Sequence, residues 1–235
     1  MRRDNDSLKF LLGATALALV LSFIPFASLA IYPFRLFVTF IHEGSHALAA
    51  LVSLGDVGQV IINPDGSGQT LSRGGLPIFV ASAGYLGAAL YGATLLVLCR
   101  QGRHAKGAVT VTAAGILALT VFFAGNLFTW ITGLLLVVSL VGLAAIASIR
   151  VTHFFLSFLA VQCCLNAVFD LRTLFLLSAF TRSENDARVM EQLTFIPAFV
   201  WSSIWIGISV VFLFLALRTY SGATKFRSGV RTVRA

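Results

Sequence analysis

Apolar and polar positions fall along this chain in blocks rather than residue by residue. Seven apolar runs lie at about residues 10–34, 34–54, 77–98, 108–127, 129–149, 154–180 and 196–217, most of them set apart by short polar gaps. Each is about twenty residues or longer, the length a helix needs to cross a hydrocarbon core of about 30 Å. The pattern predicts an all-α integral membrane protein with six or seven transmembrane helices. The first run follows a basic start and contains the small residues Ser28 and Ala30, as a signal peptide would. In a chain of many spans it is expected to stay as an uncleaved helix. One stretch departs from the helical pattern. Gly55 reads as a helix stop. After it, Val57, Val60, Ile61 and Ile62 favour a strand, Asn63-Pro64-Asp65-Gly66 a turn, and Gln69-Thr70-Leu71 a returning strand. A short β-hairpin is therefore expected after the second span. It serves either as a plain connector or as an edge that an extended peptide could join.

Composition supports this division. Of 235 residues, 58% are apolar and only 11% charged, and mean hydropathy is +0.92; a soluble domain carries about 25% charged residues. Residues 1–9 form a polar N-terminus, 10–217 a membrane domain, and 218–235 a basic tail expected to be disordered. The net charge of +8 would suggest nucleic acid in a soluble protein. Here the basic residues gather at the ends of apolar runs, as in Arg100, Arg103 and Lys106, and no aromatic-basic interleaving suggests a nucleic-acid surface. That distribution points to a lipid bilayer and excludes a nucleic-acid surface. It does not orient the chain, because both sides collect similar numbers of Lys and Arg. Asn126, Trp130, Trp201 and Trp205 are expected near membrane interfaces. Cys99, Cys163 and Cys164 lack disulfide or structural-zinc spacing and read as packing residues.

The candidate chemistry lies in the second run, at Phe40-Ile41-His42-Glu43-Gly44-Ser45-His46-Ala47-Leu48. His42 and His46 stand four apart, so on a helix both imidazoles leave one face and can bind one zinc ion. Glu43 is placed to take a proton from a metal-activated water. Ionisable groups at the middle of a membrane helix are costly and need a reason. Metal binding is one reason, and a proton or ion path in a transporter is the other. A three-ligand zinc site needs one more group. Gln162, Asn166 and Asp170 recur every fourth residue and form one polar stripe on the sixth run. Asp170 is the leading candidate for the third ligand, with Asp186 or Asn166 as the fallback, against the alternative that Asp170 pairs with Arg172 or Arg182. Asn166 is the candidate for holding a substrate backbone. The stripe and Ser45 could line a cavity that admits water. Ser183-Glu184-Asn185-Asp186 loosely fits a capping box with Ser183 as N-cap, which accounts for Asp186 without a metal. The third run carries Ser82-Ala83-Gly84, Gly87-Ala88-Ala89 and Gly92, small residues that allow close helix packing.

His42-Glu43-Gly44-Ser45-His46-Ala47-Leu48-Ala49-Ala50, the Pro64-Asp65-Gly66-Ser67-Gly68 hairpin, the Ser82-Ala83-Gly84 helix and the Asn166-to-Asp170 segment with the following Asp186-Ala187 together resemble the M50 metallopeptidases. The closer resemblance is to the compact M50B-like bacterial branch related to site-2 proteases. It implies an intramembrane zinc metalloprotease acting on membrane-associated protein substrates in a bacterial cell membrane. It also implies one zinc per chain, His42 and His46 as ligands and Glu43 as base. Phe169-Asp170-Leu171 stands for the Leu-Asp-Gly ligand segment of site-2 proteases, without its glycine. The alternatives are a proton- or ion-coupled transporter and a catalytically inactive M50-like membrane scaffold.

Overall fold

A computed structural model describes the backbone of residues 2–23, 28–180 and 185–229; within these, the side chains of 2–6, 19, 21–23, 28, 166–170, 179 and 220–229 lie outside the described residues. The chain runs α1 (Arg2–Phe23), α2 (Ser28–Val52), β1 (Asp56–Ile62), β2 (Gly68–Arg73), α3 (Pro77–Cys99), a single 3-10 turn (Gly102–His104), α4 (Ala105–Phe123), α5 (Leu127–Ile146), α6 (Ile149–Phe180), α7 (Asp186–Thr194) and α8 (Ala198–Gly229). Among the described residues the protein is mostly helical with one antiparallel hairpin. Among the described residues, four segments are long and apolar enough to cross a membrane: Pro77–Cys99, Gly102–Phe123, Leu127–Ile146 and Ala198–Thr219. Shorter apolar helical segments lie at Ser7–Ala18 and Ile149–Leu165. Val111, Phe122, Leu135 and Val138 turn outward from α4 and α5 and are exposed, as lipid-facing side chains would be.

Helix α3 sits between α2, α6 and α8. Its small residues permit that position. A Cβ at Gly87 would collide with the Ser45 side chain of α2, and one at Gly92 would stand 2.9 Å from Cys163 Cβ of α6. The main core joins α2, β1 and α3 to α6 through residues such as Phe37, Phe40, Ile62, Leu96 and Leu156. A second cluster, Ala81, Leu171, Leu174, Ala187, Met190, Ala198 and Trp205, fastens the short helix α7 to α3, α6 and α8. Trp205, expected at an interface, is instead fully buried there and stacks on Tyr85 with ring centroids 5.7 Å apart. Its neighbour Trp201 donates its indole N–H to Thr194 Oγ1 at 2.9 Å.

The hairpin forms where the turn residues place it. Asn63 accepts from Gly66 N at 2.9 Å, and Gly66 takes the positive φ of 85° that its position requires. Asp65 Oδ1 accepts from the Ser67 N–H and hydroxyl at 2.9 and 2.7 Å. These bonds, that to the hydroxyl first, hold the Asp65 carboxyl below its ordinary pKa. Three successive turns of α2 grip the tip. Tyr32 donates to the Pro64 carbonyl, Arg35 to the Asp65 carbonyl and Thr39 to the Gly66 carbonyl. From there β2 runs alongside α2 in the same direction.

The outer edge of β1 is closed. Val60 bridges to Ala124 in parallel, Gly125 N donates to Val60 O at 2.8 Å, and Asn126 Nδ2 donates to Ile62 O at 3.1 Å. Asn126, expected only to mark an interface, is thus the N-cap of α5, its side chain accepting from Thr129 N, and a clamp on β1. Among the described residues the edge left open is that of β2. The expected helix stop also works differently. Leu54, not Gly55, takes the left-handed conformation, at φ 63°. Gly55 is needed for space, since a Cβ there would stand 2.9 Å from Gly75 N.

Candidate metal centre

The histidines at the middle of α2 point at one spot. His42 Nε2 and His46 Nε2 are 3.1 Å apart. The third group comes from α7. Asp186 Oδ2 lies 3.3 Å from each Nε2. Among the described residues, these three form the one group of ligand-type side chains that could hold a metal ion.

The His46 ring is held in one tautomer. His46 Nδ1 lies 2.7 Å from the Val80 carbonyl of α3, and a carbonyl only accepts, so Nδ1 carries the proton. A neutral His46 therefore presents a bare Nε2 lone pair to an Asp186 oxygen. Two acceptors facing one another need a proton or a cation between them. Ligands bound tetrahedrally at about 2.0–2.1 Å stand about 3.3–3.4 Å apart, close to the triangle seen here. Space for an ion is kept by Gly84, where a Cβ would collide with Nε2 of both histidines. The His42 ring is packed edge-on against Tyr85 at 4.7 Å. The residues present fit a zinc ion.

Asp186 arrives by local design. Asn185 is the N-cap of α7, with its side chain accepting from Arg188 N at 3.0 Å. The expected cap, Ser183, lies outside the described residues. Asp186 is thus the first helical residue and its carboxylate is free of capping work. Burial raises the pKa of Asp186, but when the two imidazoles also carry a proton on Nε2 their hydrogen bonds and charge outweigh it and hold the carboxyl well below the usual range. Ala187 and Met190, both fully buried, seat the helix, and Glu191 Oε2 ties its end by accepting from Arg188 Nη1 and Ala198 N.

Glu43 is 4% exposed and turns toward the hairpin. Its Oε2 accepts from the Thr70 hydroxyl at 2.7 Å. Gly68 closes over the same carboxylate, since a Cβ there would stand 2.7 Å from Glu43 Oε1. The other expected site residues fare variously. The side chains of Asn166 and Asp170 lie outside the described residues. Gln162, first of the expected polar stripe, is buried and its Nε2 has no partner among the described residues. Ser45 donates to the Ile41 carbonyl at 2.7 Å and lines an apolar groove of about 770 Å³ between α2, α3 and α4, not a polar one. His153 is buried and donates from Nε2 to the Cys99 carbonyl, away from this centre. Thr70, Val80 and Tyr85 were invisible as site residues, since nothing in a local pattern ties a strand threonine or a helix carbonyl to a histidine far along the chain.

The bundle and its converging side chains define a helical membrane protein built around a candidate centre of two histidines and one carboxylate. Comparison with protein-family models matches residues 11–216 to the Peptidase M50B-like family, so the chain belongs to that family. No curated protein and no solved structure matches it. A membrane metallopeptidase-related fold is thus the setting of the site.

Proposed function

We propose that the protein is an intramembrane zinc metalloprotease that hydrolyses peptide bonds of membrane-associated proteins. The observation that carries this reading is the meeting of His42 Nε2, His46 Nε2 and Asp186 Oδ2 within 3.3 Å of one another, with Glu43 next to His42 in the chain. These three side chains would hold one zinc ion, with Asp186 in the place first expected of Asp170. A bound zinc supplies a water of lowered pKa and polarises the scissile carbonyl. Glu43 takes the proton of the attacking water and delivers it to the departing amine nitrogen. Val80 keeps the His46 proton on Nδ1, which keeps Nε2 available as a ligand.

The hairpin supports the same reading. β2 lies beside the middle of α2, where Thr70 meets Glu43. Irregular or open-edged backbone at membrane depth is tolerated only beside protein or water. The open edge of β2 therefore fits a wet cleft in which an extended substrate segment pairs with the strand. On this reading α2 and α6 also cross the membrane, giving the six or seven spans expected, and the family's bacterial branch suggests a cell membrane.

Zinc content and proteolysis of the purified full chain test the proposal together. The wild type is expected to hold one zinc and to cleave. His46→Ala and Asp186→Asn lose both, Asp170→Asn keeps its zinc, and Glu43→Gln keeps zinc without cleaving. Undiminished zinc in Asp186→Asn with loss in Asp170→Asn would return the third ligand to α6. Full cleavage by Glu43→Gln would sink the mechanism.

A further inference from the structure

Glu43 presents a problem that the metal does not solve. It is an almost fully buried carboxylate on a helix in an apolar setting. A base must also aim: a misplacement of about 1 Å can cost about 100-fold in rate. A Glu side chain has three rotatable bonds, and its own helix supplies no donor to hold the end of it. The hairpin supplies one. Thr70 on β2 lies 2.7 Å from Glu43 Oε2 and 3.0 Å from the Glu43 backbone carbonyl, so one hydroxyl spans the head and root of the same residue. The approach is possible because the strand has no side chain two residues earlier. A Cβ at Gly68 would stand 2.7 Å from Glu43 Cγ and Oε1 and 2.8 Å from Thr39 Cγ2.

The strand itself is not free to drift. Val60 of β1 pairs with Thr70 in the ladder. β1 is in turn fixed on its far edge through Val60 O, which accepts from Gly125 N. The Thr70 hydroxyl is therefore delivered by a strand paired to β1, whose far edge is itself fixed, while β2 keeps its own outer edge open.

We propose that Thr70 is a positioning residue that fixes the Glu43 carboxylate for proton transfer, so that the hairpin is part of the catalytic apparatus rather than a connector. The proposal rests on Glu43 as general base. With Oε2 held by Thr70 and Oε1 lying against Gly68, the hairpin fixes the direction of the whole carboxylate. Strand β2 then does two jobs, holding the base on one side and offering its edge to an extended peptide on the other.

The test uses the full chain, zinc-loaded and reconstituted in liposomes, with a fluorogenic casein as probe. Thr70→Val keeps the shape and loses the hydroxyl. It is expected to lower kcat about 10–100-fold with KM and bound zinc unchanged. Thr70→Ser is expected to recover most of that loss, whereas a methyl needed only for packing would give the opposite order. In a Glu43→Gln background Thr70→Val should cost nothing further. Thermal unfolding of Thr70→Val, Glu43→Ala and the double variant gives a readout independent of cleavage, and the effects should be non-additive. Thr70→Val cleaving like the wild type, or shedding its zinc, would overturn the proposal, as would strictly additive unfolding. A wild type that cleaves nothing overturns the proteolytic reading instead, and the unfolding cycle then decides the Thr70–Glu43 bond on its own.

Discussion

At the scale of single residues, the candidate centre depends as much on an atom that is missing as on those present. Gly84 faces both Nε2 atoms, and a methyl there would occupy the space in which the three candidate ligands converge. Gly84→Ala is a mild change for a helix, since alanine is the better helix former by about 1 kcal/mol. The variant is therefore expected to stay helical by circular dichroism while losing zinc affinity by about tenfold or more. Retained wild-type affinity would mean that the ion sits elsewhere. Glycine at this position was legible in the sequence only as a packing residue, one small residue among several in Ser82 to Gly92. Its second role depends on which helix it faces. His42, Glu43 and His46 were legible because their relation is local: a spacing of four on a helix sets their geometry before any tertiary contact forms. Asp186 was not. It sits far along the chain in a segment where capping already explained an acidic residue. Only the identity of the true cap, Asn185, released Asp186 for the histidines.

At the scale of elements, the site is assembled from pieces of different solidity. Helix α2 and the hairpin are bound at several points, whereas α7 has nine residues and is held by two buried side chains and its end contacts. Isolated helices of that length are marginal, so the carboxylate is delivered by the weakest element. Asn185→Ala removes the cap without touching a ligand. It should cost about 1 kcal/mol of local stability and lower zinc affinity measured by chelator competition, although His42, His46 and Asp186 are all retained. Unchanged affinity would show that the metal centre does not need an ordered α7 start. The hairpin illustrates the reverse case. Its turn was readable from Asn63-Pro64-Asp65-Gly66 because turn chemistry is local. What its two edges do was not, because the partner of β1 is a loop between α4 and α5. Trp205 makes the same point for helices. A tryptophan near a span end reads as an interface anchor, and only the packing of α8 against Tyr85 turns it into core.

At the scale of the whole molecule, the three groups of the candidate centre come from two elements that are not neighbours in sequence, and this links metal binding to the fold. Helix α2 is joined to α3 through His46 and Val80, to the hairpin through Glu43 and Thr70, and to α7 through Asp186. The first two bonds are made by the protein alone. The third brings a carboxylate against two imidazole nitrogens, one of which offers only a lone pair when neutral, so a cation between them should strengthen it. A ligand that binds only the folded state stabilises it by RT ln(1 + [L]/Kd), about 4 kcal/mol when free ligand exceeds Kd a thousandfold. Stripping zinc with a chelator is therefore expected to lower Tm, and the loosening should not be uniform. Hydrogen exchange should rise first in α7, around Asp186 to Thr194, and stay unchanged in α4 and α5, which carry no ligand. Re-addition of zinc should restore protection in wild type and not in Asp186→Asn. A chelator effect spread evenly over the bundle, or one that persists in Asp186→Asn, would show that the ion does not bridge α2 and α7. The spans would then hold their arrangement by packing alone, and the carboxylate would be an ion-pair partner of the histidines rather than a ligand beside them.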